Sequence, residues 1–224
     1  MKIRHRIKVL LSGITVKIRK GPLKGKKWII STSMREIKGE YVPRDANTIM
    51  KLVAKGDTVY DIGGHTGYFS VLSSDIVGKE GKVFAFEPSP MNLKFINKHI
   101  RINRCDNIKV FSTCISNTVG EDYFDDNLGS GTGQLSKEGK LKVKVNTLDN
   151  LLKTGEISPP NFIKCNAEGA EYLILLGSKD IIEKYKPKFL ITFHSDELKN
   201  NCIKILEQNR YEIHGTADDA IYAV

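Results

Sequence analysis

Apolar residues along this chain alternate between a period of two and a period near 3.6, the marks of strands and amphipathic helices. Ile3, Ile7, Leu10, Leu11 and Ile14 recur at helical spacing, with Arg4, Arg6 and Lys8 on the other faces. Such a stripe docks on its own domain or lies on a membrane surface. Val16 to Arg19 alternates like a strand, Gly21-Pro22 and Gly25 supply a turn, and Trp28-Ile29-Ile30 returns as a second strand. Residues 15–42 therefore read as a small β-hairpin extension. From Asn47, Ile49, Leu52 and Val53 mark a helix that closes at Lys55-Gly56. Strands are then expected at 58–60, 82–86, 108–111, 161–165 and 189–193, separated by helical stripes. Two further strands, 119–124 and 140–145, break the alternation around the glycine-rich stretch 125–139, which reads as a lid over a site or as plain surface slack. Two β segments, 211–214 and 220–224, close the chain. The pattern predicts an α/β fold with a doubly wound, mostly parallel sheet and an antiparallel edge. It divides into a basic helix/β-hairpin extension over 1–45 and a main domain over 46–224.

The stretch TVYDIGGHTGYFS, residues 58–70, organises the rest. A strand feeding a helix through a glycine-rich turn exposes backbone N–H groups where a ligand can approach closely. Asp61 adds a carboxylate at the carboxyl end of that strand, where ligands bind in open α/β sheets. A phosphate-binding GxxxxGK[ST] string is absent, and a dinucleotide GxGxxG would need glycine where His65 stands. The pattern that fits is D-x-G-x-x-x-G, the motif of S-adenosylmethionine-dependent methyltransferases. Asp61, Gly63, Gly64, His65, Gly67 and Tyr68 form its cofactor turn. Glu87 ends the next strand, 26 residues after Asp61, as the acceptor for ribose hydroxyls, with Pro88 and Ser89 beside it.

Three blocks, VYDIGGHTGYFSVL, GKVFAFEPSPMNLKFINKHIRIN and FIKCNAEGAEYLILLG, resemble the FkbM-type methyltransferase family in order and spacing. GPLKGKKW, GEYVP and VNTLDNLL also fit it, so the resemblance covers roughly residues 15–195. It implies a Rossmann-like class I methyltransferase fold, S-adenosylmethionine as cofactor, and O-methylation of hydroxyls on sugars or other small molecules. Two positions depart from the family pattern. Gly64-His65 stand where the family often has Ala-Asn, and Asn166 stands where the KIDVEGAE segment has Asp. An Asp there would act as a base or metal ligand, whereas Asn only orients by hydrogen bonding.

Methyl transfer from a sulfonium is an in-line displacement, so alignment and activation of the acceptor oxygen carry the catalysis. The candidates at the carboxyl ends of later strands are Asn166, Glu168 and His194. Glu168 reads as base, substrate anchor or helix cap, and His194 as a base near neutrality or a structural strand-end histidine.

Charge changes the picture of partners. Of a net +9, residues 1–60 carry 15 Lys or Arg against four acids, while the rest of the chain has 20 against 22. A basic extension favours a phosphorylated, lipid-linked or membrane-associated acceptor. The alternative is an RNA methyltransferase gripping nucleic acid through it, against which Trp28 and Tyr41 are its only aromatics for base stacking. A non-catalytic binding module that keeps the fold is the third alternative. The four cysteines show no CxxC pair or zinc spacing, and no metal cluster is evident. No apolar run approaches the roughly 18 residues of a membrane span. The expected location is cytoplasmic, with peripheral membrane contact through residues 1–14.

Overall fold

The computed structural model describes residues 13–125, 133–136, 138–217 and 219–224. Most of the stripe from Ile3 to Ile14 and most of the 125–139 stretch lie outside the described residues. The hairpin consists of β1 (Thr15–Lys17) and β2 (Lys27–Ile29), paired antiparallel with Val16 opposite Trp28. Two helices follow, α1 (Met34–Lys38) and α2 (Pro43–Leu52). Ser33 caps α1 by accepting from the Arg35 N–H, a short helix that the apolar periodicity does not announce.

The main unit alternates as expected. Its elements are β3 (Thr58–Ile62), α3 (Tyr68–Val77), β4 (Lys82–Phe86), α4 (Pro90–Asn103) and β5 (Ile108–Phe111). A small sheet interrupts the series: β6 (Cys114–Ile115), β7 (Gly120–Asp125), β8 (Gln134–Leu135) and β9 (Leu141–Asn146), in the order β6-β9-β7-β8. Alternation then resumes with α5 (Leu148–Lys153), β10 (Phe162–Cys165), α6 (Glu171–Leu176), α7 (Lys179–Tyr185), β11 (Lys188–Thr192) and α8 (Asp196–Gln208). The chain closes with β12 (Ile213–Ala217) and β13 (Ala220–Ala223).

The seven-stranded sheet runs β12-β13-β11-β10-β3-β4-β5, parallel from β11 to β5 with β13 inserted antiparallel. Its central strands β3, β4, β10 and β11 are buried on both faces, and the period of two sorts them. Tyr60, Ile62, Phe84, Phe86, Ile163, Cys165, Phe189 and Ile191 join one core with α5 to α8. Val59, Val83, Phe162 and Leu190 join the other, with α2, α3 and the hairpin's Trp28. The chain winds outward from β3 to β5 and then returns to place β10 on the other side of β3. That reversal leaves a crevice at the carboxyl ends of β3 and β10, where ligands bind in open α/β sheets.

Candidate active site

An open cleft of about 940 Å³, counting the space it shares with solvent, occupies that crevice. Its floor is the turn after β3. Gly63 has φ +72°, and a Cβ there would lie 1.9 Å from the Asn166 carbonyl oxygen, so only glycine lets β3 and β10 close at this point. The Gly63 and Gly64 N–H groups donate to the Phe86 carbonyl at 3.1 and 3.0 Å. Gly67, at φ +93°, packs its bare Cα on Ile96, where a Cβ would meet a side-chain carbon at 2.7 Å. The whole turn is thereby pulled down between β4 and α4.

Glu87 links the turn to β4. Its Oε2 accepts from the His65 N–H at 2.8 Å, and its Oε1 accepts from Ser89 N–H at 2.8 Å and Asn92 Nδ2 at 3.3 Å. Burial pushes the Glu87 carboxyl up to about 7 against these donors. Gly63, Gly64, His65, Tyr68, Glu87, Pro88 and Ser89 all line the cleft. Asp61 and Gly67 do not line it. Asp61 is 1% exposed and turned inward, its Oδ2 accepting from Ser70 Oγ at 2.6 Å and its Oδ1 paired with Lys164 Nζ at 3.0 Å. The sequence reading gave this carboxylate to the ligand; the sheet register gives it to Lys164, its parallel neighbour on β10.

Lys164 is the residue that sequence reasoning missed. Its ammonium donates to the Ile62 and Gly63 carbonyls at 3.1 and 2.9 Å while pairing with Asp61. One buried cation therefore ties the end of β3 to β10 directly beneath the turn. The signal was present: a lysine within the apolar run Phe-Ile-Lys-Cys must be paired if that strand is buried. Tyr41, Phe69, Thr113, Cys114, Ile115 and Phe124 also line the cleft without having been singled out. Phe124 comes from β7, so the small sheet forms the outer wall. Burial and nearby Glu87 push the Cys114 thiol up to about 12, which leaves it protonated and unreactive.

The opposite wall is the loop after β10. Asn166, Ala167 and Glu168 line the cleft, and the Asn166 Oδ1 is buried there without a hydrogen-bond donor. Glu168 holds a left-handed backbone at φ +50°, uncommon for a non-glycine residue and followed by Gly169 at φ +99°. Glu171 enforces this shape, its Oε1 accepting from the Ala167 and Gly169 N–H groups at 3.1 and 3.2 Å. His194, after β11, spans the two acids: Nδ1 lies 2.9 Å from Glu171 Oε1 and Nε2 lies 3.4 Å from Glu168 Oε2. The hydrogen bonds to Glu168 and then Glu171 raise the imidazole to about 10, so it is a cation at neutral pH. Burial pushes the Glu171 carboxyl up, but His194 and the Gly169 N–H outweigh it and hold it below the usual range. His194 does not line the cleft and, protonated, has no vacant nitrogen to take a proton.

S-adenosylmethionine carries an ammonium and a ribose diol, both donors, plus a purine. The cleft answers with two buried acceptors, Glu87 and the Asn166 Oδ1, and with apolar faces from Phe86, Ile115 and Phe124. The residues present fit the group.

Comparison with known proteins agrees. The methyltransferase FkbM domain matches residues 61–213. The hexuronic acid methyltransferase AglP of Haloferax volcanii is 25% identical over 179 residues, covering 78% of this chain and 71% of AglP. A protein-L-isoaspartate O-methyltransferase of Methanococcus aeolicus is 28% identical over 143 residues, 58% of this chain and 65% of that protein. Among solved structures, an FkbM methyltransferase from Methylobacillus flagellatus superposes with TM-score 0.57 at 20% identity. That match covers 75% of this chain but spans only 43% of the Methylobacillus protein. Fibrillarin of Aeropyrum pernix, solved with bound S-adenosyl-L-methionine, shares the fold at TM-score 0.53 and 15% identity, over 80% of this chain and 73% of its own. The chain belongs to the FkbM methyltransferase family and is an S-adenosylmethionine-dependent methyltransferase.

Proposed function

We propose that this enzyme O-methylates a hydroxyl of a sugar or other small hydroxylated acceptor, with Glu168 as the base. The observation that carries this reading is the Glu168 carboxylate, held in a left-handed turn on the wall facing the glycine turn across one cleft. When bound, S-adenosylmethionine supplies an electrophilic methyl group. The Gly63–Gly67 turn and Glu87 hold the donor, and the buried Asn166 Oδ1 accepts a hydrogen bond from donor or acceptor. The Asn166 amide is not basic enough to take a proton, so its part is orientation. Glu168 takes the hydroxyl proton as the oxygen becomes a nucleophile. His194, a cation between Glu168 and Glu171, fixes the direction of the Glu168 carboxylate, making it a positioning residue rather than a base.

The acceptor class rests on the relative AglP, whose name gives hexuronic acid as its substrate. A saccharide carrying a carboxylate also suits a chain whose first 60 residues are strongly basic. The test compares methyl incorporation from labelled donor into hexuronic-acid saccharides, neutral saccharides and total RNA. Incorporation into a saccharide fraction, abolished in Glu168→Gln, is expected. Methylation of RNA alone would overturn the assignment.

A further inference from the structure

The turn that faces the cleft is also gripped from behind. Thr66 lies between His65 and Gly67, and its hydroxyl donates to Glu36 Oε1 at 2.7 Å. Glu36 belongs to α1 and is wholly buried; its other oxygen accepts from the Trp28 indole N–H at 2.7 Å. The Thr66 carbonyl accepts in turn from His99 Nδ1 at 2.7 Å, while His99 Nε2 accepts from the Ile29 N–H at 3.1 Å. Those two bonds fix the tautomer, and burial lowers His99 to about 4, so the ring stays neutral. Trp28 stacks on His99 at 3.6 Å with the planes 11° apart. The hairpin is itself clamped to the helices behind the turn. Lys27 exchanges backbone hydrogen bonds with the Asn103 side chain, and Lys26 pairs with Asp75.

Four elements therefore meet at one residue of the turn: β2 through Ile29 and Trp28, α1 through Glu36, α4 through His99, and the turn through both ends of Thr66. A carboxylate removed entirely from water costs several kcal/mol unless its acceptors are filled. Here the donors that fill them include the hydroxyl of a cleft-lining residue. We propose that Glu36 and His99 are positioning residues for the methyl donor, acting through Thr66, and that the N-terminal hairpin and α1 are thereby part of the donor site. This rests on the reading of the Gly63–Gly67 turn as the donor cradle. The chain has one tryptophan, and it is Trp28. Trp28 stands two hydrogen bonds from the cleft, through Glu36 and Thr66, and so is placed to report on its filling.

The test is calorimetric titration of the full chain with S-adenosylhomocysteine, read together with Trp28 emission and the KM values for donor and acceptor. Thr66→Val, which keeps shape and removes the hydroxyl, is expected to weaken binding about tenfold, as for one lost buried hydrogen bond to a charge. It should raise the donor KM, leave the acceptor KM unchanged and abolish the emission change on binding. Thr66→Ser, which keeps the hydroxyl, should bind within about twofold of wild type, the spread of one small packing change. Glu36→Gln, which keeps one acceptor, should fall between them. A Thr66→Val protein that binds as tightly as wild type with its emission response intact overturns the proposal. Equal weakening in Thr66→Ser also overturns it, because packing rather than the hydrogen bond would be responsible. A wild-type chain that does not bind S-adenosylhomocysteine at all overturns the donor-site reading itself, and the proposal with it.

Discussion

At the ends of β3 and β4 the acids that shape the cleft are answered from within the protein. Asp61 has Ser70 and Lys164, Glu87 has two backbone N–H groups and Asn92, and the glycine turn is closed by backbone bonds to Phe86. At the ends of β10 and β11 the groups are left in tension. Glu168 sits at a positive φ, the Asn166 Oδ1 and Glu171 Oε2 are buried without donors, and a doubly tethered imidazolium lies between two acids. The difference matches what each half is asked to do. A donor site gains from a floor whose acids are paired, because every donor molecule is the same, although His65 in its turn also holds a positive φ of +49°. An acceptor site that must take a proton keeps a strained carboxylate and unmet polar groups, which persist only where the surroundings over-determine them.

Substitutions can break this contrast in graded ways. The largest effect is expected from Glu168→Gln, which keeps the shape and removes the proposed base. Turnover should fall by about 10²–10⁴-fold, while calorimetry finds S-adenosylhomocysteine affinity within about twofold of wild type, as for a surface change outside the donor site. Comparable losses in both would place Glu168 in the donor half instead. Lys164→Met leaves Asp61 buried without its cation, and breaking such a pair costs about 3–5 kcal/mol. Urea denaturation should register that loss, and adding Asp61→Asn in the same chain should recover part of it. No recovery would mean that the two strand ends are not coupled by charge.

Glu87 sharpens the donor half through pH. Its folded carboxyl titrates at about 7, raised above the ordinary 4.5 by burial. If Glu87 holds the ribose, as proposed, its ionised form is the one that accepts the hydroxyls, so donor binding is expected to be strong above that pH and lost as the pH falls through it. Affinity for S-adenosylhomocysteine should therefore drop roughly tenfold from pH 8 to pH 6. Glu87→Gln should bind more weakly throughout and show a flat profile; a wild-type profile that is already flat would contradict the assignment. The smallest effect concerns His194. Its pKa of about 10 lies above the ordinary 6.5, so the stability it gains from the two acids is present below 6.5 and disappears as the pH rises through 10. Imidazole resonances followed by NMR should stay those of the cation through neutrality, and a midpoint near 6.5 would restore His194 as a base.

The strand and helix order was legible because strands buried on both faces leave near-continuous apolar runs, and the two cores alternate along them residue by residue. The glycine turn and Glu87 were legible because backbone geometry writes itself locally into Gly63 and Gly67. Contacts that depend on register were not. Lys164 meets Asp61 only because β10 lies beside β3, 103 residues along the chain. The charge of His194 depends on Glu168 and Glu171, which reach it only because β10 lies beside β11. Helix α1 hid because five residues carry too little periodicity, although its Ser33 cap was readable.

The most direct test of the account is a crystal structure of the chain with S-adenosylhomocysteine. The account predicts the ligand in the β3–β10 cleft, its ribose hydroxyls on Glu87 and its sulfur facing the wall formed by Asn166 and Glu168. A ligand bound away from Glu87, or with its sulfur turned from Glu168, would contradict it.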